Sequence, residues 1–225
     1  MTAGVGPVVA PPLSAAILAG GQSRRMGTDK ALLRLEPGGP TLVERVAAAV
    51  GTVAADTFLV VNDDRLTALG LRAVPDVYPG AGALGGIYSA VAGARHEHCL
   101  VVACDMPFLS VPLLRAMAVQ PRDYDVLAPF LPVAEGAANR QGTAGGVYET
   151  LHAIYGRGAL PAMREELEAG RFKIVGFFPR VRVRPFAIEW VRRHDPALRS
   201  FFNANTPARF AEARALLPLM EAGRA

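Results

Sequence analysis

Ala15-Ala16-Ile17-Leu18-Ala19-Gly20-Gly21-Gln22-Ser23-Arg24-Arg25-Met26-Gly27-Thr28-Asp29-Lys30-Ala31 is an apolar run that turns at paired glycines into three cations. The run 15–18 is apolar on both faces, the pattern of a strand buried inside a parallel sheet. Gly20 and Gly21 carry no Cβ, so the backbone there can approach a ligand closely. Successive backbone N–H groups in such a turn form an anion-binding concavity, and Arg24, Arg25 and Lys30 add positive charge where a polyphosphate would lie. No Gly-Lys-Ser/Thr follows the glycines, which excludes a P-loop. Gly20, Gly21 and Gly27 do not fit the dinucleotide fingerprint.

Outward from this loop, the pattern alternates strands with helices. Thr41 and Glu44 make a capping box for a helix that runs to about residue 50. Residues 57–61 and 100–104 read as further buried strands, the second delivering Asp105. Residues 72–75 are a short extended segment. The glycine-rich stretch 79–86 reads as a flexible connection to a helix over 87–94. Ser110 caps a helix over 111–119. Residues 126–129 and 145–148 read as strands around a mobile loop at 131–141, with a helix near 150–155 and an amphipathic helix over 160–168. Segments 172–178 and 181–186 read as strands, with Arg180, Arg182 and Arg184 on a solvated face. Thr206 is a good N-cap and Pro207 a good first residue for the closing helix. Residues 1–13 read as a flexible tail and 14–225 as one domain. Such a βα alternation makes an α/β fold with a central, mostly parallel sheet between two helical layers. In such folds ligands sit beyond the carboxyl ends of the strands, and the loop, Asn62, Asp76 and Asp105 all fall there.

The chain has 225 residues, is 51% hydrophobic and carries a formal charge of +4. The mild positive excess has no basic run, so it suits small phosphate-bearing ligands, and no nucleic-acid motif accompanies it. Cys99 and Cys104 bracket one strand at an odd separation and point to opposite faces, so no disulfide is expected; reduced thiols fit a cytoplasmic setting. His96, His98 and Cys99 lie close together, but no fourth ligand completes a zinc site, and they read as a surface turn. No run approaches the ~18 apolar residues of a membrane span. No serine has a histidine and carboxylate pairing that would make a hydrolase triad.

Leu-Ala-Gly-Gly-x-Ser-x-Arg-Met-Gly-x-Asp-Lys, as it stands in residues 18–30, resembles the signature loop of the molybdenum cofactor guanylyltransferases, which have a Rossmann-like nucleotidyltransferase fold. Three later stretches strengthen the resemblance. Gly82-Ala83-Leu84-Gly85-Gly86 is similar to the family's Gly-Pro-Leu-[Ala/Gly]-Gly loop, with Ala83 in place of proline. Cys104-Asp105-Met106-Pro107-Phe108 resembles its Asp-x-Pro-[Phe/Tyr] metal site. Asn203-Ala204-Asn205-Thr206-Pro207 matches its Asn-x-Asn-Thr-Pro segment. Around Gln141-Gly142-Thr143-Ala144 the chain departs from the family's Pro-Leu pair, which leaves the acceptor side least defined.

The resemblance implies transfer of GMP from GTP to the phosphate of molybdopterin, with release of pyrophosphate. It implies Arg25, Lys30 and Asp105 as catalytic residues, Asp105 holding Mg²⁺ with phosphate oxygens and water. It implies nucleotide or pterin contacts from Leu18, Ala19, Gly20, Gly21, Asn62, Asp76, Gly82, Gly85, Asn203 and Asn205. Arg24 is an extra, solvent-facing cation. Expected partners are GTP, molybdopterin and, transiently, proteins that deliver molybdopterin and molybdoenzymes that receive the product. Competing readings are a CTP-dependent molybdopterin cytidylyltransferase, a sugar-phosphate nucleotidyltransferase and a non-catalytic nucleotide-binding subunit. Leu18-Ala19-Gly20-Gly21 favours the guanine branch.

Overall fold

The computed structural model describes residues 11–20, 30–62, 66, 69–133, 139 and 141–222, the side chains of 220–222 excepted. Gly21, Arg24 and Arg25 of the first loop lie outside the described residues. Strand β1 (Ser14–Leu18) lies inside an eight-stranded sheet. It pairs in parallel with β2 (Asp56–Val60) on one side and β4 (His98–Ala103) on the other, and β3 (Arg72–Val74) extends the parallel part beyond β2. Past β4 the direction changes: β7 (His152–Gly156) is antiparallel to β4, β5 (Val126–Pro132) is antiparallel to β7, and β6 (Gly146–Tyr148) is antiparallel to β5. Strand β8 (Val183–Phe186) runs parallel to β5.

Alternation along β1 divides its side chains between two cores. Ala15 and Ile17 join Leu59, Leu100 and Val102 against α1 (Leu42–Val50) and α3 (Val111–Ala118), through Val43, Val46, Leu113 and Met117. Ala16 joins Phe58 and Val101 on the other face, against α2 (Gly82–Gly93) and α4 (Leu160–Glu168), through Leu84, Ile87, Met163 and Leu167. Each face of the sheet thus buries an apolar layer, as the continuous apolar strands require. The capping box at Thr41 forms: Glu44 N–H donates to Thr41 Oγ1 and Thr41 N–H to Glu44 Oε2. Ser110 Oγ caps α3, and Thr206 Oγ1 accepts from Arg209 N–H at the start of α6 (Pro207–Ala222). Among the described residues no helix is long and apolar enough to cross a membrane.

The structure corrects several sequence expectations. Helix α2 begins at Gly82, not near residue 87. A Cβ at Gly85 would stand 2.7 Å from Tyr78 O, and one at Gly93 2.7 Å from Val74 Cγ1. The helix sits too close to its neighbours for side chains there, and packing outweighs the weak helix propensity of glycine. Residues 152–156 form a strand, not a helix, because His152, Ala153, Ile154 and Tyr155 are buried on both faces between β4 and β5. Segment 172–178 is not a strand. It makes 3₁₀ turns at Ile174–Gly176 and Phe178–Arg180, which bring both Phe177 and Phe178 into the core. Strand β5 runs on through Pro132 into the expected loop, and residues 134–138 and 140 lie outside the described residues. Helix α5 (Ile188–His194) carries no local signal strong enough to be expected. His98 and Cys99 are buried in β4 rather than in a surface turn, and His98 packs edge-on to Tyr124. The arginine face is solvent-exposed at Arg180 and Arg182, as expected, and is also ion-paired: Arg182 bridges Asp125, Arg184 bridges Asp123, and Arg180 bridges Glu165 and Glu166.

His152 is fully buried, edge-on to Phe201, and neither ring nitrogen has a hydrogen-bond partner among the described residues. Burial holds its pKa down to about 4. The unfolded chain therefore binds this proton first as pH falls. Stability is lost as pH drops from about 6.5 towards 4, at about 1.4 kcal/mol per unit at most. His152→Leu is expected to flatten that limb of a pH series of thermal melts between 7 and 4. Parallel profiles for the two proteins would contradict this.

Candidate active site

The parallel register sets Val74, Val60, Leu18 and Ala103 side by side. Two residues beyond that row stand Asp76, Asn62, Gly20 and Asp105. The sheet therefore assembles four separated sequence signals along one edge, the ligand-binding edge of such folds.

The start of the glycine loop is committed to the sheet. Ala19 and Gly20 N–H both donate to Val60 O, at 3.2 and 3.1 Å. Cys104 N–H donates to Leu18 O at 3.2 Å, which fixes the chain entering Asp105. Leu18 leans on α2, where Gly86 leaves it room. Leu18, Ala19 and Gly20 thus position the loop, and their amides up to Gly20 are not open to a phosphate. The remainder of the expected anion-binding turn, residues 21–29, lies outside the described residues.

Asn62 and Asp76 brace each other. Asp76 N–H donates to Asn62 Oδ1 at 2.6 Å and Asn62 Nδ2–H to Asp76 O at 3.4 Å. Asp76 Oδ1 accepts from Tyr78 N–H at 3.1 Å and Ser89 Oγ–H at 2.9 Å, which ties the end of β3 to α2. Gly82 takes a left-handed φ of +64° at the start of that helix, a conformation glycine adopts freely. Gly85 serves the close packing of α2 on Tyr78 described above.

Lys30 opens a 3₁₀ turn (Lys30–Leu32) and brings Nζ to 3.9 Å from Asp105 Oδ2, both side chains more than four-fifths buried. Burial pushes the Asp105 carboxyl above the usual carboxylate range, and the Lys30 ammonium opposes that shift. Asp105 O accepts from Ala204 N–H at 2.8 Å. This backbone bond brings the Asn-x-Asn segment onto the strand-end aspartate. Phe202, edge-on to Phe108, and Arg209 over the Phe202 ring hold the segment in place. Asn203 faces a cleft and gives Nδ2–H to Phe201 O at 3.1 Å, while Asn205 is exposed.

That cleft, of about 380 Å³, lies on the antiparallel side of Asp105, between Met106, Asn203 and residues of β6 and the turn into β7. Gln141 lines it but serves the backbone: Nε2–H donates to Tyr148 O and Oε1 accepts from Tyr148 N–H, both at 2.7 Å. Glu149 also lines it, and no sequence motif marked it. Its N–H is fixed by Pro129 O at 2.9 Å, and burial raises its carboxyl to about 7. Only the long-range closure of β5, β6 and β7 reveals this residue. Among the described residues no group of three His, Cys, Asp or Glu side chains could hold a metal ion. Asp105 offers a single carboxylate facing a lysine.

A mostly parallel sheet with a strand-end carboxylate facing a lysine, braced polar groups to one side and a cleft to the other, is the architecture of a nucleotide-binding α/β domain. A family model described as "MobA-like NTP transferase domain" matches residues 15–176. A protein of Pelotomaculum thermopropionicum named "Probable molybdenum cofactor guanylyltransferase" is 40% identical over 210 residues, covering 92% of this chain and 95% of the relative. A protein of the same name from Carboxydothermus hydrogenoformans is 32% identical over 209 residues, covering 93% and 98%. Molybdopterin-guanine dinucleotide biosynthesis protein A from Archaeoglobus fulgidus superposes with a TM-score of 0.73 at 26% identity, covering 92% of this chain and 99% of that one. The chain belongs to the MobA-like NTP transferase family.

Proposed function

We propose that this chain is a nucleotidyltransferase that transfers GMP from GTP to the terminal phosphate of molybdopterin. The products are molybdopterin guanine dinucleotide and pyrophosphate. The observation that carries the reading is the Lys30–Asp105 pair at 3.9 Å, set between the Asn62–Asp76 brace on one side and the Asn203–Glu149 cleft on the other. Donor and acceptor then approach the pair from opposite sides. The acceptor phosphate oxygen attacks the α-phosphorus in line, the bond to the bridging oxygen breaks, and its electron pair leaves with pyrophosphate. No protein nucleophile is required. Lys30 and Arg25 stabilise negative charge on the leaving pyrophosphate. Asn62, Asp76 and the Gly82–Gly85 turn bound the nucleoside side, and Asn203 the acceptor side.

Asp105 suits Mg²⁺: this cation takes one or two carboxylates and fills its remaining positions with phosphate oxygens and water, and a lone strand-end carboxylate leaves those positions to substrate. Bound there, Mg²⁺ would neutralise charge on the phosphate oxygens.

The test is pyrophosphate release with each of the four nucleotides, with and without molybdopterin. GTP is expected to exceed CTP, ATP and UTP by at least about tenfold in kcat/KM, because a wrong base leaves buried polar groups unpaired. Release should require the acceptor. Preference for CTP would make the chain a cytidylyltransferase, and binding without release would make it a non-catalytic nucleotide-binding subunit.

A further inference from the structure

We propose that Glu149 sets acceptor specificity: its carboxylate receives the ring N–H and exocyclic amino group of a 2-amino-4-oxopyrimidine edge, presented by a flat bicyclic ring in the cleft. The inference rests on the guanylyl-transfer reading and adds to it a residue and a chemical group.

Strand β7 is antiparallel to β4 with Val102 opposite His152, so Leu151, Thr150 and Glu149 run on past the paired rows toward the Asp105 end of the sheet. The Asn62–Asp76 brace lies beyond β1 in the other direction. Glu149 is therefore on the half of the edge away from that brace.

The Gln141 amide is used at both ends by the Tyr148 backbone, and the Asn203 amide donates to Phe201 O. Thr150 is buried, and its carbonyl accepts from the Tyr155 hydroxyl at 2.7 Å. Among the described residues the Glu149 carboxylate has no hydrogen bond or ion pair, although it lines the cleft. A partly buried carboxylate with no donor among the described residues has its acceptor oxygens available to a ligand in the cleft. Its elevated pKa has burial as its sole cause, consistent with that lack of compensation.

An ionised carboxylate only accepts, and its two oxygens match two parallel N–H donors. The 2-amino-4-oxopyrimidine edge presents such a pair. Met106, Val147 and Leu151 supply apolar cleft wall for the ring. Pterins and guanine share this edge, so the experiment must separate acceptor from donor.

Glu149→Gln keeps the shape and replaces one acceptor oxygen with an NH₂ group that opposes a ligand N–H. The KM values for molybdopterin and GTP are measured separately, with the Kd of an oxidised, fluorescent pterin monophosphate by titration. The expected result is a rise of about 10- to 100-fold in acceptor KM and pterin Kd, with GTP KM within about twofold. Glu149→Asp, which keeps the charge, should recover part of the loss. A purely structural role would move the melting temperature and both KM values together and would overturn the proposal. So would a rise confined to GTP KM, which would assign the carboxylate to guanine, or an unchanged pterin Kd. Should the wild type show no acceptor-dependent turnover, the guanylyl-transfer reading fails separately, and the pterin Kd still decides for or against Glu149.

Discussion

Asp105→Asn is expected to lower kcat by about 10³-fold or more while leaving the fold intact. The carboxylate stands two residues beyond the last paired row of β4, faces Lys30 Nζ at 3.9 Å and is more than four-fifths buried. Asparagine keeps the size and leaves the backbone bond from Ala204 N–H to residue 105 O in place. What it removes is the negative charge available to a cation and to the lysine. Because burial raises the Asp105 carboxyl, the native protein already spends stability on holding this charge. A neutral amide should therefore melt at or above the wild-type temperature. Pyrophosphate release over a Mg²⁺ series, alongside thermal melts, checks both halves. Near-normal turnover in the folded variant would remove Asp105 from the metal-binding role.

Lys30→Ala should lower kcat by about 10²-fold, the scale for loss of one electrostatic contact that strengthens in the transition state. Its ammonium is largely buried beside Asp105, where charge interactions are screened less than at the surface. Arg24→Ala provides the contrast. Arg24 is read as solvent-facing and lies outside the described residues, so its removal should leave kcat near wild type and alter only KM and its salt dependence. Steady-state kinetics of both variants at low and moderate salt separates the roles. Equal losses of kcat would show that charge near the glycine loop, rather than the placement of Lys30, is what matters.

The parallel half of this fold was readable because its signals are local. The apolar runs of β1, β2 and β4, the Thr41–Glu44 capping box, Ser110 and the Thr206-Pro207 start of α6 each name their element from a few neighbouring residues. The strand-end row of Gly20, Asn62, Asp76 and Asp105 followed from the same runs. What escaped depends on distant partners. Residues 152–156 are a strand because β4 and β5 flank them. Helix α2 tolerates Gly85 and Gly93 because Tyr78 and Val74 lie against it. Glu149 is invisible in sequence for the same reason: its burial comes from the closure of β5, β6 and β7, and no neighbour in the chain predicts it. Gln141, by contrast, lies in a stretch that departs from the family pattern, and its amide holds the Tyr148 backbone.

The most direct test of the central claim follows the α-phosphorus itself. The purified protein is incubated with molybdopterin, Mg²⁺ and GTP labelled at that atom, and the products are separated and weighed by mass spectrometry. The expected result is label in molybdopterin guanine dinucleotide, unlabelled pyrophosphate in equal amount, and no nucleotide bound covalently to the chain. Label recovered as free GMP whether or not molybdopterin is present, or as a nucleotide–protein adduct, would contradict direct transfer between two substrates meeting at Lys30 and Asp105.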